Sequence, residues 1–213
     1  MSKKALIIGA GSYGEVLSVY LIEAGYKIVG FIDDDHQKIG TSIHNIPVLG
    51  SFKDLVENKI KTPFEVVFCS IGDNKIRVKY LSELRKLNME IPNFIHSSVQ
   101  ITTKTTLGKG VYIFPNCTLM PFTNLGDYTM VSIGTVITHH ANIGKGVLIS
   151  CGVTVGAFAK VENMAVLGVG STIKSGAINI GRQSIVGAGS VVIRDVHEKS
   201  VVVGNPAKVI KIL

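Results

Sequence analysis

The sequence predicts an α/β segment with a parallel sheet over residues 1–95, followed by a parallel β-helix over residues 96–213. Three observations predict it. Short apolar runs alternate with amphipathic stretches in the first part, and a glycine-rich turn joins the first strand to the first helix. In the second part an aliphatic residue recurs every six positions.

Ala5-Leu6-Ile7-Ile8 reads as a buried strand, and the stretch from Gly14 to Ala24 places Val16, Leu17, Tyr20 and Leu21 on one helical face before Gly25 ends it. Lys27-Ile28-Val29-Gly30-Phe31-Ile32 is the next strand, closing on Asp33-Asp34-Asp35 and completing a βαβ unit. Glu65 to Ile71 reads as another buried strand. Asn74 to Leu87 carries Ile76, Val78, Leu81, Leu84 and Leu87 at near-helical spacing.

Beyond Ile95 the pattern changes. Stepping by six from Ile101 meets Leu107, Ile113, Leu119, Leu125, Val131, Ile137, Ile143, Ile149, Val155, Val161, Leu167 and Ile173. After a one-residue insertion the series resumes at Ile180, Val186 and Val192. Two residues before each aliphatic the side chain is small or β-branched in most repeats, as at Cys117, Thr129, Ala141 and Ala159. A six-residue period suits neither an α-helix nor a hairpin array. It suits a prism in which each hexapeptide forms one flat side, an 18-residue coil closes a triangle, and the aliphatics fill the interior.

Composition narrows the function. At 46% apolar and 17% charged residues the 213-residue chain is not disordered. Its three cysteines, Cys69, Cys117 and Cys151, have neither disulfide nor metal spacing, so a reducing cytoplasm and no metal are expected. No apolar run is long enough for a leader or a membrane span. The net charge of +7 favours anionic partners, but the basic residues are scattered with little aromatic interleaving. A phosphorylated small molecule fits better than nucleic acid.

Gly9-Ala10-Gly11-Ser12-Tyr13-Gly14 matches G-x-G-x-x-G between a strand and a helix, where backbone N–H groups and the helix end hold phosphate. Asp33 ends the second strand, in position for a ribose hydroxyl. The Rossmann-like pattern suggests a dinucleotide-dependent oxidoreductase. About 95 residues make only half of a doubly wound sheet, however, so a single nucleotide is the better fit. A turn needed only for strand–helix packing is the plain alternative.

With these motifs the chain resembles the hexapeptide-repeat acyltransferases, and more narrowly the PglD/NeuD-like sugar O- and N-acyltransferases. The matching residues are Ala5 to Gly11, Gly30-Phe31-Ile32-Asp33-Asp34, Ile71-Gly72-Asp73-Asn74 with Arg77, Phe94-Ile95-His96, His139, and Val203-Gly204-Asn205-Pro206-Ala207-Lys208. The resemblance implies a left-handed β-helix, a homotrimer, acetyl-CoA as co-substrate and a nucleotide-linked (UDP- or dTDP-) amino sugar as acceptor. It implies sugar-nucleotide contacts at Gly9, Gly11, Ser12, Tyr13, Asp33, Asp34 and Gly72, and acetyl-CoA contacts at Ala157, Val169 and Gly187. Family members commonly carry Gly-His where this chain has Ser12-Tyr13, Glu or Asp where it has His140, and in some cases His where it has Leu148.

Of the six histidines, His36 and His44 read as solvated, His197 sits in a late turn, and His96 marks the entry to the β-helix. His139 follows core position Ile137 by two residues and so lies at a corner, one coil before Ala157. Imidazole exchanges protons near neutral pH, and the resemblance makes His139 the base that deprotonates the attacking amine. His140 is expected beside it in place of the usual carboxylate. The Ala157 amide is the expected oxyanion donor. No cysteine or serine is paired with a base in sequence, which favours direct attack on the thioester. The alternatives are O-acetylation of a sialic or related acid, a non-catalytic nucleotide-sugar-binding trimer, and a metal-dependent hydratase, which the adjacent pair of histidines suits poorly.

Overall fold

The computed structural model describes residues 2–213, and the chain divides into two compact units, the first ending at Pro92 and the second running Asn93–Leu213. The second starts three residues earlier than expected because Phe94–Ile95 already pairs, in parallel, with Tyr112–Ile113.

The first unit contains β1 (Lys4–Ile8), α1 (Ser12–Glu23), β2 (Lys27–Ile32), β3 (Ser42–Ile43), β4 (Ile46–Gly50), α2 (Phe52–Val56), β5 (Val66–Cys69) and α3 (Asn74–Lys86). The sheet order is β3-β4-β2-β1-β5, parallel except for the β3–β4 hairpin. Strand β1 therefore has β2 on one side and β5 on the other. That reversal of strand order opens a crevice beyond its carboxyl end, where Gly9 begins the turn.

Two helical faces differ from the expected ones. On α1 the buried residues are Gly14, Leu17, Ser18 and Leu21, while Val16 is exposed. A Cβ on Gly14 would stand 1.9 Å from the Gly9 carbonyl oxygen, so the helix packs on a stripe of small residues. On α3 the buried residues are Asn74, Arg77, Leu81 and Leu84, while Ile76 and Leu87 are exposed. Arg77 is wholly buried, and its guanidinium donates to the carbonyl oxygens of Ile71 (2.9 Å) and Gly72 (3.1 Å) and to Asn74 Oδ1 (2.6 Å). Hydrogen bonding to a loop, rather than hydropathy, decides which side of α3 faces inward.

The second unit is a parallel β-helix. Two-residue strands stack into three parallel sheets, with Val136–Ile137 pairing Thr118–Leu119 on one side and Thr154–Val155 on the other. The second residue of each strand points inward, and from Ile113 to Val192 these aliphatics form one buried cluster. Burying each contributes about 1.5–3 kcal/mol. Ile101, in the first full coil, is exposed. The corner threonines are buried but satisfied, Thr129 Oγ1 donating to Gly144 O (3.0 Å) and Thr135 Oγ1 to Ser150 O (3.1 Å). The inserted residue shifts the register, so Val161 pairs with Ile180 where Ile143 pairs with Val161. Most corners carry one residue at φ near +60°, including Asn116, Phe122, Tyr128, Gly134, His140, Gly152, Phe158 and Gly170.

Candidate functional site

The glycine turn is built by backbone. Gly9 has φ +103°, a conformation closed to residues with a Cβ, and its N–H donates to Ile32 O (2.7 Å). Gly11 is the N-cap of α1, is exposed, and would have no atom within 4 Å of an added Cβ. Ser12 and Tyr13 follow as the first helical residues, and Gly72, also exposed and open, lies in the loop after β5.

Asp33 is half-buried and Asp34 exposed. Asp33 Oδ2 accepts from Ala10 N (2.8 Å) and Lys38 Nζ (3.1 Å), and Oδ1 accepts from Asp35 N (2.9 Å). Burial raises the pKa of this carboxyl, but the backbone N–H groups of Asp35 and Ala10, together with Lys38, hold it below the ordinary carboxylate value. A carboxylate has about four acceptor positions. Three are taken, so a ligand hydroxyl at Asp33 would share the carboxylate with the turn itself.

Asp34 Oδ1 accepts from Phe52 N (2.8 Å), and the Tyr80 hydroxyl donates to its other oxygen. Burial and the neighbouring Asp34 carboxylate push the Tyr80 phenol up. The Phe52 and Tyr80 rings lie parallel, 3.6 Å apart. They line both a cavity of about 190 Å³ beside Gly9, Asp33 and Ile71 and a wider one of about 540 Å³ beside His36 and Lys79. Neither ring was found by sequence reading, because residues 28 apart on two different helices leave no periodic signal.

The histidine corner lies between the strands Val136–Ile137 and Asn142–Ile143. His139 is half-buried and His140 exposed, and their Nδ1 atoms stand 3.0 Å apart. The His140 ring stacks on Phe158 (4.9 Å between centroids, 18° between planes) and lies against Phe122 on its other neighbour coil (4.8 Å, 33°). His139 meets Phe158 edge-on at 5.3 Å. Backbone bonds tie the three coils here, from His140 N to Pro121 O (3.3 Å) and from Phe158 N to His139 O (3.2 Å). Among the described residues no three His, Cys, Asp or Glu side chains gather in a way that could hold a metal ion.

Ala157 lies in the same corner one coil on, and its N–H donates to Ser175 Oγ (3.2 Å), a residue that sequence reading did not single out. Val169 and Gly187 lie at a different corner, at the other edge of the flat face that contains Val136 and Thr154. The inserted residue also parts these two. Leu167 pairs with Val186, so Val169 stacks over Ala188, and Gly187 stacks over Gly168.

Residues 4–84 match the family model described as the PglD N-terminal domain. The structure of PerB from Caulobacter crescentus, in complex with CoA and GDP-perosamine, superposes with a TM-score of 0.89 at 27% identity, covering 98% of this chain and 97% of that one. Residues 4–84 are thus a PglD-type N-terminal domain, and the whole chain has the fold of PerB. WeeI from Acinetobacter baumannii AYE is similar at 25% identity, with a TM-score of 0.87 over 97% of this chain and 99% of that one. The uncharacterized protein L142 of Acanthamoeba polyphaga mimivirus is 29% identical over 126 residues, 59% of this chain and 24% of that protein. The chain spans about a quarter of the length of the curated relatives it matches.

The second unit is a left-handed β-helix, as in these structural neighbours. Leu148, where some family members carry a histidine, is half-buried at the first, outward position of its strand. His140, where the resemblance leads one to expect a carboxylate, keeps a polar atom within hydrogen-bond distance of His139.

Proposed function

We propose that the chain is an acetyl-CoA-dependent N-acetyltransferase acting on a nucleotide-linked amino sugar, with His139 as general base. The observation that carries this reading is the similarity over nearly the whole chain to PerB, whose structure holds CoA and GDP-perosamine. The glycine turn and the cavity beside Gly9 would take the nucleotide, with Gly11, Ser12, Tyr13 and Gly72 at its mouth, and the β-helix would take the thioester.

In the reaction the sugar amine attacks the thioester carbonyl and forms the C–N bond while His139 Nε2 removes the amine proton. The tetrahedral oxyanion is stabilised by the Ala157 N–H once the Ser175 hydroxyl rotates away, and collapse breaks the C–S bond and releases the thiol with a proton. Direct transfer agrees with the cysteines. Burial pushes the Cys69 thiol up to about 11 and raises Cys117 as well, which leaves both poor nucleophiles.

Exposed Phe122 and Phe158 line one edge of the flat face, and exposed Ile133 and Val169 line the other. Apolar edges of this kind favour association, and a homotrimer would bring the Ala157 edge of one copy beside the Val169 and Gly187 edge of the next. The described helices include none long and apolar enough to cross a membrane, and the free cysteines suit the cytoplasm.

The test is thiol release from acetyl-CoA against GDP-, UDP- and dTDP-linked amino sugars, with mass spectrometry of the product. A mass gain of one acetyl group on the amine supports the reading. Acetyl transfer only to a sugar hydroxyl would replace it with O-acetylation, and tight sugar-nucleotide binding with no thiol release would make the chain a binding protein.

A further inference from the structure

The corner that carries the histidines differs from the other two columns in holding three ring-bearing residues in succession, each in contact with the next. Most corners place a residue at φ near +60°: one column carries Asn116, Gly134, Gly152, Gly170 and Gly189, and another carries Gly110, Tyr128, Gly146, Met164 and Gln183. In the histidine column the same position is Phe122, His140 and Phe158, three ring-bearing residues in a conformation that costs an L-residue about 1–2 kcal/mol. Tyr128, Met164 and Gln183 take the same conformation elsewhere, so it is the contact between successive rings, and not the strain, that points to a use for these side chains. Here the rings stack through three successive coils, with His140 between the two phenylalanines.

That sandwich fixes the plane of the His140 ring and so fixes where its Nδ1 lies, 3.0 Å from His139 Nδ1. Two nitrogens at this distance make a hydrogen bond only when one of them carries the proton and the other a lone pair. If His139 Nδ1 is the donor, His140 Nδ1 is the acceptor and the His140 proton sits on its Nε2, on an exposed residue. We infer that His140, clamped between Phe122 and Phe158, is a positioning residue that accepts a hydrogen bond from His139 Nδ1–H and thereby keeps the lone pair of His139 on Nε2. The inference rests on the reading of His139 as the base. It gives a neutral ring the orienting task that the family's carboxylate performs, without a negative charge.

The left-handed backbone supplies a clean test, because glycine and asparagine both tolerate φ near +60°. His140→Gly removes the acceptor at a position where the neighbouring corners already carry glycine, whereas His140→Asn keeps a side-chain oxygen as an acceptor. His140→Gly is expected to lower kcat by about 10- to 100-fold, the usual effect of removing an orienting partner, with KM for both substrates within about twofold. His140→Asn is expected to recover most of that loss. If backbone strain alone mattered, His140→Gly would equal or exceed His140→Asn in kcat, and that order overturns the inference.

A second readout needs no turnover. In ring-¹⁵N-labelled protein, His139 is expected in the Nδ1–H form, changing towards Nε2–H in His140→Gly. A wild-type His139 already in the Nε2–H form would overturn the inference even if the acetyltransferase reading holds. A wild-type Nδ1–H form that is lost in His140→Gly, in a protein that acetylates none of the sugar nucleotides, would sink the function and leave the hydrogen bond standing.

Discussion

The turn at Gly9 and the corner at His140 both take the chain through positive φ, and they use it in opposite ways. At Gly9, φ +103° lies outside the left-handed well, so only backbone occupies the turn and its N–H groups stay close to whatever binds there. At His140, φ +60° lies inside that well, where a side chain is admitted at a cost, and the corner uses the opening to place a ring. The glycine turn, proposed to take the nucleotide, is built by keeping side chains out. The β-helix site is built by putting them where the repeat would be more stable without them.

The sharpest way to break the comparison is at the base. His139→Ala is expected to lower turnover by about 10² to 10⁴ with little change in substrate affinity, read as kcat and KM in the thiol-release assay. Near-normal turnover would leave the corner with rings and no proton chemistry.

The glycine turn is tested by a pair of alanines. Gly14→Ala forces a Cβ to within 1.9 Å of the Gly9 oxygen, and about 3 kcal/mol or more of stability in the first unit is expected to go, visible as a lowered calorimetric transition. Gly11→Ala meets open space, so the transition should hold while sugar-nucleotide affinity falls about tenfold through the lost close approach. Equal stability losses in both would mean that the turn serves packing alone.

Gly152→Ala tests the corners. Its Cβ also meets nothing within 4 Å, but its φ is +67°, so a cost of about 1–2 kcal/mol is expected from conformation alone. A neutral outcome would remove the argument that the ring column is strained.

The smallest effect concerns acid. The Asp33 carboxyl is held below the ordinary carboxylate value in the folded chain, so its contribution to stability is full above about pH 4 and is lost as pH falls through the lowered value. Wild-type protein should therefore lose more Tm between pH 5 and about pH 3 than Asp33→Asn does. Parallel curves would show that the Ala10 and Lys38 contacts do not hold the turn.

Much of this was legible in the chain. Six-residue spacing located the inward aliphatics from Ile113 to Val192 and the inserted residue before Ile180, because a repeat constrains every coil in the same way. The β3–β4 hairpin was missed, although His44 and Asn45, both at positive φ, form the two-residue turn that such hairpins favour. Val16 and Ile76 were placed inward by hydropathy, whereas Gly14 and Arg77 decide the packing through a close approach and a set of hydrogen bonds. The Phe52–Tyr80 pair and the meeting of the histidine nitrogens depend on side-chain torsions between residues that no spacing rule links.

The inserted residue also says how such a chain grows. As far as Ser175, partners in adjacent coils are 18 residues apart, as Ala157 is from Ser175, whereas across the loop that follows they are 19 apart. Excising or duplicating 18 residues on the near side would return every column to its own alignment and alter only the number of coils between His139 and the ends. Removing six would rotate each later face by a third of a turn and carry the aromatic column to the wrong edge. Length is therefore quantised in whole coils up to that loop, which absorbs one residue without dislocating what precedes it, and beyond it the spacing changes again, to 16 between Ile185 and Val201.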